Sequence, residues 1–334
     1  MVTFLCMMKW KSRLAFCSEA WDAIECYIYT GLQGGSIMKG WMKEDSPKNK
    51  RRQRRIMLEY KTRKLNEHIT QIIDPTEVAC FLVEGSERAI LVDTGIGLKG
   101  LKETVERLTD KPYVVLLTHG HGDHAGGCSA FDTVYMNQAD RDLVKKHGMD
   151  MRIGYTKRAF AGMSAAGGPE RTATNSDFVP EPAGNKEFLP LEDGQIFDLG
   201  GIHVEVIAVP GHTRGTVCML FPEERAILFG DACNTNTLVG GEESTTISTY
   251  RESLLHLKTF EDRYDTVYYS HGPVIGPTAL DDNIELCGQI LVGTDDHIPE
   301  QGFMGSGFLG AKRVGFDRVD GKYGNIFYTE RTAR

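Results

Sequence analysis

Residues 118–127 read THGHGDHAGG, directly after the apolar run YVVLL at 113–117. His119, His121, Asp123 and His124 fall within six residues there. Imidazole and carboxylate are the donors that suit zinc and its first-row neighbours. Gly120 and Gly122 let the backbone turn tightly enough for those side chains to converge. Asp123 stands where a following helix would begin, a position that favours a carboxylate. A chance surface cluster of histidines is the bland alternative, and the strand-to-loop context weighs against it.

The same arrangement recurs along the chain. VEVIAVP (204–210) runs into Gly211, His212 and Thr213; AILF (226–229) into Gly230 and Asp231; TVYY (266–269) into Ser270 and His271. Each is a buried-strand pattern followed at once by a ligand-type side chain, where loops present function on a rigid sheet. Five histidines and two aspartates are offered in this way, enough for two metal ions. Further β-rich runs lie at 69–74, 78–85, 88–95, 112–118 and 133–136, and Leu98, Leu101, Val105 and Leu108 are spaced for one apolar helix face. Helices are also predicted at 136–148, 250–260 and 279–293. Alternating strands and helices give an α/β layered domain.

The HxHxDH signature, with the later His212, Asp231 and His271, resembles the metallo-β-lactamase-fold hydrolases, especially their hydroxyacylglutathione hydrolase-like and lactonase-like branches. The resemblance covers roughly residues 67–295. It implies an αββα sandwich, two mixed sheets flanked by helices. It also implies that His119, His121 and His212 hold one metal and Asp123, His124 and His271 a second, with Asp231 bridging them. Asp93, in LVDTG, matches the family's early aspartate, which supports the ligands from behind. Two Zn²⁺ ions are the implied cofactors, with Mn²⁺ or Fe as alternatives for the same donors. Such a pair, about 3.5–4 Å apart, shares a hydroxide at neutral pH. Asp123 is the candidate for orienting it or taking its proton.

The implied reaction is hydrolysis of a small ester-type bond: a lactone, thioester or related acyl substrate. Asp231 turns the reading away from dedicated β-lactamases, although β-lactam hydrolysis as a side activity stays open. A phosphodiesterase acting on a nucleotide or RNA is the enzymatic rival, and a non-catalytic metal-binding module the rival from another class. The stretch from Gly302 to Glu330 reads as Gly-broken strands or a hairpin. It does not look like a helical glutathione-binding segment, which puts glutathione thioesters in doubt.

Composition narrows the partners. The 334 residues carry a formal charge of -8, which disfavours nucleic acid and points to a small-molecule substrate. No apolar run is long enough to span a membrane. Eight scattered cysteines read as reduced thiols of a cytoplasmic protein, Cys233 among them as a structural thiol. Residues 1–64 form an N-terminal extension ending in a basic run, read as a solvated linker, and 65–334 the catalytic domain. Residues 150–186, rich in Gly, Ala, Ser, Thr and Pro, read as a loop insertion, either a cap or a surface loop. As a cap they would bring Tyr155, Phe160, Met163 and Phe178 to a substrate; Arg214, just after His212, reads either as a contact for an anionic substrate group or as an exposed structural residue. His68, His147, His203, His256 and His297 lie outside the motifs and read as ordinary histidines.

Overall fold

A computed structural model describes residues 58–182, 186–272, 278–300, 307–312, 318 and 320–334. Most of the N-terminal extension, including Cys6, Cys17, Cys26 and the start of the basic run, lies outside them.

Strand patterning sets the layers. Among the described residues the first sheet has the order β1 (Lys61–Lys64), β2 (Ile69–Ile73), β3 (Ala79–Glu84), β4 (Ala89–Val92), β5 (Tyr113–Leu116), β6 (Val134–Met136) and β7 (Leu189–Pro190). The second contains β8 (Ile196–Asp198), β9 (His203–Ala208), β10 (Val217–Phe221), β11 (Ala226–Leu228) and β13 (Thr266–Tyr268). A third, small sheet joins β12 (Thr237–Val239), β16 (Ile326–Tyr328), β15 (Leu309–Gly310) and β14 (Ile298–Pro299), so the Gly-broken C-terminal stretch does contain a short antiparallel pairing.

Both main sheets are buried on two faces, and alternate residues go to different cores. On β3, Phe81 and Val83 meet Val204, Val217, Met219 and Phe221 of the second sheet in the central layer. Cys80 and Leu82 point the other way, under Leu101 and Val105 of α1 (Leu101–Leu108). On β10, Cys218 and Leu220 face Tyr250 and Leu254 of α5 (Ile247–Lys258) and Leu286 and Ile290 of α6 (Ala279–Val292). The order is helix, sheet, sheet, helix. Between α1 and α5 come α2 (Gly122–Ala125), α3 (Arg141–Lys146) and α4 (Met149–Ala165).

Two expectations need correction. The first sheet begins inside the predicted extension, because Lys61–Lys64 pair antiparallel with β2. Their side chains are all exposed, so among the described residues the end of the basic run is a charged edge strand, a common guard against edge-to-edge pairing. Just before it, buried Tyr60 donates to the Leu98 carbonyl at 2.7 Å.

The second correction concerns 150–186. Its first half is α4, a 17-residue helix. The buried positions of α4 are Arg152, Thr156 and Phe160, spaced by four, and two of the three are polar. A hydrophobicity pattern cannot show such a face. Gly148, expected to end a helix over 136–148, instead caps the start of α4; the earlier stretch forms only a 3₁₀ turn and α3. Arg152 fastens α4 down by donating to the carbonyls of Gly126 (2.7 Å) and Val179 (3.2 Å), with its guanidinium over the Phe178 ring. Arg152→Met should cost about 1–3 kcal/mol for each carbonyl left without a donor. Urea unfolding measures this, and an unchanged midpoint would contradict the anchoring role.

Candidate metal centre

The two main sheets bring the same kind of edge together. β4 and β5 are parallel, as are β11 and β13, and β9 and β11 both run antiparallel to β10. The C-terminal ends of β9, β11 and β13 therefore share one edge of their sheet. Val217 N–H donates to the Thr118 carbonyl at 2.9 Å, and Val78 bridges to His271, tying that edge to the first sheet. All seven predicted ligand positions lie just beyond these ends.

Their donor atoms gather into three overlapping groups: His119, His121 and His212; His119, His124 and Asp231; and Asp123, His124 and His271. Within each group all atoms lie within 4.8 Å of one another. His121 Nδ1 is 3.1 Å from His119 Nε2 and 2.8 Å from His212 Nε2. His124 Nε2 is 3.1 Å from His271 Nε2. Asp231 Oδ2 is 3.4 Å from His124 Nε2, 3.3 Å from His271 Nε2 and 3.7 Å from His212 Nε2, so it reaches both halves. Asp123 Oδ2 is 3.4 Å from His271 Nε2 and 3.8 Å from His124 Nε2.

Asp93 lies beneath the centre, fully buried, with a left-handed φ of 63° at the end of β4. It accepts from the Thr118 backbone N–H at 2.8 Å, from the Thr118 hydroxyl and from His124 Nδ1 at 2.8 Å. The Thr118 hydroxyl in turn meets His119 Nδ1 at 3.1 Å. His212 Nδ1 donates to the Leu238 carbonyl at 2.7 Å. In their neutral forms, with these outward bonds made, His119, His124 and His212 would present their inward nitrogens as lone pairs.

Charge follows the same layout. Burial, reinforced by neighbouring histidines, holds His119 well below its ordinary pKa, and burial and His121 push His212 down to about 4. Burial opposes a charge on His124 too, but Asp123, Asp231 and Asp93 outweigh it and raise its pKa; Asp231 does the same for His271. Burial would raise Asp231, yet His271 and His124 hold it well below the carboxylate range.

A divalent cation fits these residues. Lone pairs that face one another at 2.8–3.1 Å repel unless a proton or a cation lies between them. Asp231 Oδ1 is buried with no hydrogen-bond partner among the described residues, a costly state that a cation would relieve. Three-atom groups of nitrogen and oxygen donors suit zinc, manganese or iron.

The residues expected to meet a substrate divide. Tyr155, on α4, lies near Asp123, and burial together with the Asp123 charge raises the pKa of its hydroxyl well above the ordinary value. Phe160 and Phe178 serve a core first, although Phe160 also borders an open hollow with Lys157, Glu170 and Arg171. Both phenylalanines are buried with Ile96 and Leu98 in a small core under α4, and Met163 packs against the same cluster. Arg214 is exposed beside His212 and donates to the Glu242 carbonyl at 2.8 Å. Cys233 is a buried structural thiol: burial pushes its pKa up to about 12, and Asn283 Nδ2 donates to its sulfur at 3.1 Å.

Two neighbours escaped the sequence reading. The His147 ring stacks on His121, with centroids 5.3 Å apart and planes 16° apart, and His147 Nδ1 accepts the Gly122 N–H at 2.9 Å. Glu243 Oε1 lies 3.3 Å from His121 Nε2. His147 follows no strand, and Glu243 sits in an acidic-polar stretch, so neither position carries a motif.

Layers and site together define an αββα protein with a buried His/Asp centre at the shared sheet edge. A profile of the metallo-beta-lactamase superfamily matches residues 73–271, and the chain belongs to that superfamily. It is 28% identical over 196 residues to the human (Homo sapiens) acyl-coenzyme A thioesterase MBLAC2, covering 55% of this chain and 68% of that protein. It is 27% identical over 215 residues to the atrochrysone carboxyl ACP thioesterase nsrC of Aspergillus novofumigatus, covering 63% of this chain and 53% of that protein. The solved sec-alkylsulfatase Pisa1 from Pseudomonas sp. superposes with a TM-score of 0.51 at 15% identity, covering 70% of this chain and 42% of that one, a likeness of fold. Among the described residues no helix is long and apolar enough to cross a membrane.

Replacing Asp93 by Asn keeps a residue that tolerates the left-handed backbone while removing the charge that His124 and Thr118 address. Asp93→Asn should weaken divalent-ion retention about 10–100-fold, read by chelator competition with elemental analysis. Wild-type retention would contradict the supporting role.

Proposed function

We propose that this chain is a dinuclear metal-dependent hydrolase acting on acyl thioesters. The observation that carries the metal part is the pair of three-atom donor groups joined by Asp231. Thioesters are favoured over lactones and simple esters because relatives named as acyl-CoA and acyl-carrier-protein thioesterases match across this same region. The acidic composition supports a small acyl substrate over a polyphosphate backbone.

His119, His121 and His212 would hold one ion, Asp123, His124 and His271 the other, and Asp231 both; Zn²⁺ is the ion best matched to these donors. Ions held there lower the pKa of water to about 7 and polarise a carbonyl oxygen. The chain's own residues do the rest. Asp123 Oδ2 faces the centre and can accept a proton from the attacking water as its oxygen adds to the thioester carbonyl carbon. The C–S bond then breaks, and the proton passes to the leaving sulfur. Asp93 and Thr118 keep the imidazoles from turning, which preserves the geometry over the cycle.

A five-substrate panel tests this: an acyl-CoA, p-nitrophenyl acetate, an acyl-homoserine lactone, nitrocefin and bis-p-nitrophenyl phosphate. The acyl-CoA should be turned over with the highest kcat/KM, and turnover of the phosphodiester alone would overturn the substrate assignment. His121→Ala should lower acyl-CoA turnover by about 10²-fold or more, since metal chemistry contributes several kcal/mol and each 1.36 kcal/mol is tenfold. Its circular dichroism should match the parent. Retained activity in that variant would contradict the assignment.

A further inference from the structure

We propose that Glu243 is a positioning residue for the three-histidine group, holding His121 in the one tautomer and orientation that turns Nδ1 inward. The inference rests on the metal-centre reading above and adds to it a residue outside the motifs.

His121 differs from the other histidines of the centre. His119, His124, His212 and His271 all present Nε2 to their neighbours, whereas His121 presents Nδ1. A neutral imidazole carries its proton on one nitrogen only. If His121 carried it on Nδ1, an N–H would stand where a lone pair is needed. The ring must therefore be protonated at Nε2, on its outward side, and that N–H needs an acceptor. Glu243 Oε1, 3.3 Å away, is that acceptor. It does for His121 what Asp93 does for His124 and the Leu238 carbonyl for His212. The stacked His147 ring fixes the tilt of the His121 plane, and Glu243 fixes its rotation within that plane.

Glu243 is delivered on a well-anchored segment, as an orienting group must be. Its backbone carbonyl accepts the Arg214 N–H at 3.1 Å, Ser244 Oγ donates to the His212 carbonyl at 2.7 Å, and Thr245 N–H donates to the Gly211 carbonyl at 3.0 Å. The residues just before it are pinned from behind: β12 pairs with β16, and Thr332 Oγ1 donates to the Val239 carbonyl at 2.7 Å. The stretch from Leu238 to Thr245 therefore supports two histidines of the same group, His212 through a carbonyl and His121 through a carboxylate. The C-terminal strand holds that stretch in place. Glu243 itself is no rival donor, because it addresses the ring nitrogen turned away from His119 and His212.

The test compares the full-length parent chain with E243A and E243Q, each loaded with Zn²⁺ and equilibrated against graded dipicolinate, with bound zinc counted by elemental analysis. E243A should release one ion of the pair at about 10–100-fold lower chelator than the parent, while the second ion is unaffected. E243Q should recover most of the retention, because its amide oxygen accepts the same N–H. Thermal melts of the zinc-free proteins should coincide, which separates orientation of a ligand from support of the fold. Parent-like retention by E243A, an E243Q no better than E243A, or a loss matched by a lower zinc-free melting temperature would each overturn the proposal. A parent chain that takes up no zinc would overturn it together with the metal reading, whereas an inactive but zinc-replete parent would leave it standing and count against the thioesterase reading alone.

Discussion

The structure is organised around an unfavourable contact: electron-pair donors from four separate strand ends pressed together where water is scarce. His121 Nδ1 and His212 Nε2 stand 2.8 Å apart, and Asp231 keeps a buried oxygen without a hydrogen-bond donor among the described residues. An apolar protein interior does not tolerate such an arrangement for its own sake. A divalent cation held there would relieve each repulsion and take the place of the proton that Asp123, Asp231 and Asp93 favour on His124. Folding would then gain whatever the ion contributes by binding to the assembled site.

Much of the surrounding architecture serves to keep those atoms close. Two sheets buried on both faces supply rigid edges, and the central apolar layer, from Phe81 and Val83 to Met219 and Phe221, sets their separation. Asp93 occupies a left-handed backbone position at the end of β4 so that one carboxylate can reach both the Thr118 backbone and His124. Arg152 ties α4 to the end of the motif helix, which leaves Tyr155 near Asp123. The His121 ring is held from outside the motif, by His147 on its face and Glu243 at its edge.

The convergence of the seven His and Asp side chains and the layer order were legible because their signals are local. A strand pattern followed immediately by His or Asp can be read from a dozen residues, and four such junctions imply one edge. What the sequence hid was tertiary. The inner face of α4 is Arg152, Thr156 and Phe160, so its helical repeat is written in hydrogen bonds and not in hydrophobicity. Phe160 and Phe178 looked like substrate contacts because they sit in a Gly- and Pro-rich stretch, yet they close a small core with Ile96 and Leu98. Glu243 is 122 positions from the histidine it touches, and nothing in its neighbours marks it. The strand Lys61–Lys64 was masked by its own charge, since an exposed edge needs no apolar alternation.

The central claim is that these seven side chains surround a pair of cations. Anomalous diffraction at the zinc edge, from crystals of the zinc-loaded chain, tests it most directly. Two peaks about 3.5–4 Å apart are expected, one among His119, His121 and His212 and one among Asp123, His124 and His271, with Asp231 touching both. A single peak, or zinc bound only elsewhere on the protein, would contradict the account.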